Sequence, residues 1–250
     1  MTFDAGQFVI AAFLAFCRIG GCFMVMPGLS SIRVPVQVRL FVAIAVSMAI
    51  LANSWDQFAP YAQRTADVVA ASLISELAIG VLIGLLARIY LLALQFMGSA
   101  IAMMIGYGGG VASPIEESEP QAPLATIISF SALLLLFVLD FHHQVIAALL
   151  ASYRILPPGA GFDAQSALAD ISDTLSDTFV AVLRLGSPFV AYAVLINLAI
   201  GFVNKLTPQI PVYFISLPFV IAGGLILVYF GIVPLLRLFA DGFVPLTIGR

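Results

Sequence analysis

The sequence predicts an all-α integral membrane protein built from bent and broken helical hairpins. Three observations carry that expectation. Of the 250 residues, 62% are hydrophobic and only 9% are charged, whereas soluble domains carry about a quarter charged residues. Mean hydropathy is +1.13, concentrated in long apolar runs. Those runs are interrupted by Gly, Pro and single ionisable residues. Backbone that breaks at membrane depth must be covered by protein or line a wet cavity, because lipid offers its N–H and C=O groups no partner. So many breaks in so small a chain predict a partner assembly. The whole chain, 1–250, reads as a single membrane domain.

Segment one runs from about Phe8 to Met26, with Arg18 its only charge, and Pro27-Gly28 ends it. Asp4 stands where a cleaved leader has basic residues, so the segment is expected to stay in the mature protein. Cys17 and Cys22 fit no zinc or redox spacing and read as small buried apolar residues. The following link holds Arg33 and Arg39 and is the most basic loop; the positive-inside rule taken alone would put it in the cytoplasm, but the charges of the other links leave the orientation open. Leu40 to Ala52 is too short to cross a core of about 30 Å and reads as a buried helix or half-span. Trp55 and Tyr61 in the next link suit a water–lipid interface.

Val68 to Ile105 exceeds one span and reads as one oversized helix or a broken pair. Glu76, Gly80, Gly84 and Arg88 recur every four residues, so they share a stripe. Gly80-xxx-Gly84 lets helices approach closely. The stripe is expected to face protein, with Glu76 and Arg88 meeting each other or neighbouring subunits. Helical character should end at Gly106. Met103, Met104, Ile105, Gly106 and Tyr107 then lead into Gly108, Gly109, Gly110, Val111 and Pro114, followed by Glu116, Glu117 and Glu119. This loop reads either as a surface connection or as a plug-like element in a conduction path. The apolar lead-in favours the plug, with Met103 and Met104 as a compliant seal or as ordinary core.

Asp140, His142 and His143 interrupt the apolar run Leu124 to Ser152. Such groups are costly in lipid. They read as a polar break between half-helices before a proton relay or a metal site, since zinc takes about four ligands and no companions are evident. Tyr153 to Asp177 reads as a hydrophilic link with Asp170, Asp173 and Asp177 on an exposed helical face. In Phe179 to Val203, Pro188 implies a kink or a late helix start. Pro208, Pro211 and Pro218 exclude one continuous helix, so Lys205, Pro208 and Gln209 sit at a helix–turn–helix tip. The last apolar run is Phe219 to Phe239.

Several function classes fall away. A net charge of −3 offers no basic surface for nucleic acid. The glycine run precedes no Lys-Ser/Thr, so no phosphate-binding loop is present. Neither a Gly-x-Ser-x-Gly elbow nor a His-Glu-x-x-His helix occurs. No enzyme activity and no cofactor are expected.

Four stretches together resemble the FliR family of flagellar and type III secretion export proteins. They are Arg18 with MPGLSSIRVPVQVRL, the SELAIGVLIGLLAR helix with its glycine-rich loop, LLLLFVLDFHHQVIAALLASYRILPPG, and GFVNKLTPQIPVYFISLP with its Pro-Gln apex. The likeness runs from about Phe8 to Phe239. It departs at His142-His143, where a Gly-His pair is common, and in the acidic character of the central loop. The resemblance implies a non-enzymatic export-gate subunit at the flagellar basal body of the bacterial inner membrane. It implies FliP-like and FliQ-like partners, FlhB/FlhA-like export components and unfolded proteins as cargo. It also implies that the Ile105–Pro123 region plugs the pore and that the Lys205 to Pro211 tip meets the FliQ-like subunits. A proton-coupled transporter or channel using Asp140, His142 and His143 is the alternative.

Overall fold

The computed structural model describes residues 5–31, 34–62, 64–107 and 123–247, and all regular structure among them is helical. The seven helices are α1 (Ala5–Val25), α2 (Val36–Ala62), α3 (Ala66–Met104), α4 (Pro123–Val138), α5 (Phe141–Ile155), α6 (Ala164–Leu206) and α7 (Val212–Thr247). Among the described residues α1, α2, α3, α6 and α7 are each long and apolar enough to cross a membrane, while α4 and α5 reach that length only together. The protein is an all-α integral membrane protein.

Two segments differ from expectation, and one open alternative is resolved. The Leu40–Ala52 segment is the middle of α2, which runs 27 residues with a kink at Ser54. Hydropathy falls after Ala52, but the helix persists because tertiary contacts hold its polar end. Trp55 stacks on Phe8 at 6.1 Å, and fully buried Phe58 meets the edge of Tyr153 at 5.1 Å. The long run after Thr65 is one unbroken helix of 39 residues. Most of the hydrophilic link before Phe179 belongs to α6. Asp163 caps that helix, its carboxylate accepting from the Gln165 and Ser166 amides at 3.1 and 3.3 Å. Pro188 lies inside α6 and starts nothing. Proline at 188 removes the donor that the Arg184 carbonyl would otherwise receive, and the Ser187 hydroxyl donates to that carbonyl at 2.9 Å instead.

The chain divides into two compact units. The first comprises Met1–Tyr90, Leu139–Leu175 and Pro245–Arg250. Its core is the packing of α1 on α2 and α3, with Ala11, Leu14, Ala15 and Ile19 fully buried. Glycines set the α1–α3 approach: a Cβ at Gly21 would lie 2.9 Å from the Leu77 carbonyl, and one at Gly84 would lie 2.6 Å from the Cys22 carbonyl. Both cysteines are free, with Cys22 buried and Cys17 half-buried.

The second unit comprises Leu91–Val138 and Ser176–Val244. Here Gly98 touches Ala125 across α3 and α4, and Met97 fills the space over Gly186 of α6. The Tyr192 hydroxyl donates to the Val220 carbonyl at 2.7 Å, tying the two arms of the α6–α7 hairpin. Pro208 and Pro211 fall in the turn between those arms, whereas α7 continues through Pro218. Several serine hydroxyls inside the apolar helices donate back one turn, as Ser47 does to Ala43, Ser99 to Gln95 and Ser129 to Ala125, which satisfies them within their own helix.

Candidate functional site

Arg18 is fully buried in the middle of α1. A buried guanidinium needs a counter-charge and acceptors for its five N–H groups. Glu76, fully buried on α3, supplies the charge in a bidentate fork. Arg18 Nε donates to Glu76 Oε2 at 2.6 Å and Nη2 donates to Oε1 at 2.9 Å. Nη2 also donates to the Leu156 carbonyl at 3.0 Å, and Nη1 donates to the Ser152 hydroxyl at 3.1 Å. The Tyr153 ring lies 4.0 Å from the guanidinium carbon. Glu76 in turn accepts from the Gly159 amide at 3.3 Å. The clamp therefore joins α1, α3, the end of α5 and the loop after it.

Two glycines make this geometry possible. A Cβ at Gly80 would fall on the Arg18 carbonyl, so only glycine lets α3 pass α1 at the level of the clamp. Gly159 sits at φ 75°, and a Cβ there would lie 2.6 Å from the Tyr61 ring.

The expected stripe thus splits. Glu76, Gly80 and Gly84 face α1, but Arg88 is exposed and does not join them. Each four-residue step turns about 40° past a full helical turn, so the drift from Glu76 to Arg88 is about 120°. The true partner, Arg18, was visible in the sequence as the one charge of its helix. A lone Arg18 in α1 and an opposite charge, Glu76, inside the apolar α3 were the available signal.

At its other end α3 closes as helical geometry requires. Gly106 adopts φ 77°, its amide donates to the Met103 carbonyl at 3.1 Å, and the Tyr107 amide donates to the Ala102 carbonyl at 2.9 Å. This paired closure uses a left-handed residue that glycine supplies without strain. Ile105 is fully buried, and its side chain occupies the space over Gly224 of α7. Met103 and Tyr107 are exposed and Met104 is half-buried, so this stretch mixes core and surface. Gly108, Gly109, Gly110, Val111 and Pro114 lie outside the described residues, as do Glu116, Glu117 and Glu119.

Lys205, Pro208 and Gln209 are all exposed at the α6–α7 turn. Asp140 stands between α4 and α5 with φ 57°, the one non-glycine at positive φ among the described residues. His143 Nδ1 lies 3.2 Å from Asp140 Oδ1, both side chains being well exposed, and His142 is half-buried beside them.

Residues 9–245 match the family model of bacterial export proteins, family 1. The chain is similar to the flagellar biosynthetic protein FliR of Caulobacter vibrioides, 27% identical over 224 residues that cover 87% of this chain and 86% of that protein. It is likewise similar to FliR of Bacillus subtilis, 26% identical over 87% of this chain and 84% of the relative, and of Escherichia coli, 25% identical over 86% and 81%. The chain is a membrane-embedded component of the flagellar export apparatus and belongs to family 1 of the bacterial export proteins.

Proposed function

We propose that the chain is a non-enzymatic subunit of the flagellar export gate in the bacterial inner membrane. In this reading it assembles with FliP-like and FliQ-like subunits and meets FlhB/FlhA-like components. It helps to form the pore for unfolded proteins, and the segment after Gly106 closes that pore at rest. The observation that carries the reading is how little of α6 and α7 the chain covers itself. Only 17% of the apolar window of each is buried, against 56% for α1. The hairpin they form ends in a polar Pro-Gln turn with exposed Lys205. Such faces fit the packing of sister helices, and in the sequence three further glycines follow soon after Gly106.

The test is to purify the tagged chain from its native membranes in mild detergent. Unlike membrane subunits at a fixed ratio are the expected result. Recovery only as a monomer or homo-oligomer, with export intact, would overturn the proposal.

A further inference from the structure

We propose that Asp140, His142 and His143 bind a divalent transition-metal cation of the zinc and cobalt class at the turn that opens α5. The three side chains offer one carboxylate oxygen and two imidazole nitrogens, and these atoms all lie within 4.8 Å of one another. Zinc holds nitrogen and oxygen ligands at about 2.0–2.1 Å, so two ligands of a tetrahedral ion stand about 3.3 Å apart. The Asp140 Oδ1 to His143 Nδ1 separation is 3.2 Å. One edge of the coordination polyhedron is therefore already set. The rings of His142 and His143 have centroids 4.1 Å apart. The remaining donor lies within 4.8 Å of the other two, so sharing one ion asks it to close by about 1.5 Å at most.

The donor set decides the class of ion. Magnesium and calcium demand oxygen ligands, which one carboxylate cannot supply. Two imidazoles favour zinc, cobalt, nickel and copper. Three protein donors leave a position for water, as in open zinc sites. The positive end of the α5 dipole opposes a cation here, and the Asp140 carboxylate offsets it. The backbone is suited to the task, because the left-handed Asp140 separates the two helices and brings residue 140 within contact of residue 143. With an ion bound, the ligands cross-link the first turn of α5 to the residue that breaks the chain before it.

A simple Asp140–His143 ion pair also explains the 3.2 Å contact, and His142 distinguishes the two cases. The full-length chain, carrying a tag without histidine and stripped with chelator, is titrated in detergent with Co²⁺, followed by visible absorption, and with Zn²⁺, followed by calorimetry. The expected result is one saturable equivalent per chain. His142→Ala, His143→Ala and Asp140→Asn each weaken binding at least tenfold. Asparagine tolerates the left-handed conformation, so Asp140→Asn keeps the turn. Absence of saturable uptake, or wild-type affinity in His142→Ala, overturns the proposal.

Discussion

Replacing Glu76 by Gln removes one charge from the clamp and little volume. Arg18 then stays fully buried with its Ser152 and Leu156 acceptors but no counter-charge, and the Gly159 amide keeps at best a weaker partner. Leaving one member of a buried pair uncompensated costs about 3–5 kcal/mol, whereas an exposed pair is worth about 0–1 kcal/mol. Both side chains are fully buried and joined at 2.6 and 2.9 Å, so the larger figure applies. Arg18→Met should cost a similar amount, since it strands the carboxylate. The double variant removes both charges. It should be less destabilised than the sum of the singles, with a coupling of about 2 kcal/mol, near thirtyfold in the unfolding constant. SDS-induced unfolding of the purified chain in mixed micelles measures all four species. Single-variant losses below about 1 kcal/mol, or losses that add in the double, would refute the assignment of the clamp as the tie between α1 and α3.

Gly80→Ala tests the approach that the clamp requires. Its new methyl falls on the Arg18 carbonyl, so α3 must back away, and a loss of about 1–3 kcal/mol by the same assay is expected, the range for overpacking. Asp163 gives a pH signature. The Gln165 amide and the Ser166 hydroxyl and amide hold its carboxyl below the ordinary value of 3.8. A lowered folded value means that the cap's contribution is complete above the unfolded value and vanishes as pH falls through the folded one. Hydrogen exchange at the start of α6, compared with Asp163→Ala, should therefore show cap protection at neutral pH and none in strong acid; equal protection in both proteins at neutral pH counts against the cap. Deleting Gly108–Gly110 should raise ion leak through assembled export gates and impair export, and unchanged leak with normal export speaks against a plug.

Much of the architecture is readable from neighbouring residues. The membrane class follows from composition, the end of α3 from Gly106, the break before α5 from Asp140, and the α6–α7 turn from Pro208 and Pro211. The four motifs pointed to the family that comparison then established. Each of these signals is local, because it acts through one residue's φ, its missing amide or its cost in lipid. The full lengths of α2 and α6 were not legible, since Phe58 and Asp163 hold their polar ends by contacts that hydropathy does not register. The partner of Glu76 was decided only by tertiary structure. The four-residue repeat grouped Glu76 with Arg88, to meet each other or neighbouring subunits, yet the carboxylate pairs with Arg18, 58 residues away on another helix. The Glu76-Gly80-Gly84 stripe marked a face of α3 that meets protein but not which helix it meets, and that choice is set by where two backbones can touch. Gly21, Gly80 and Gly84 are the places where they do.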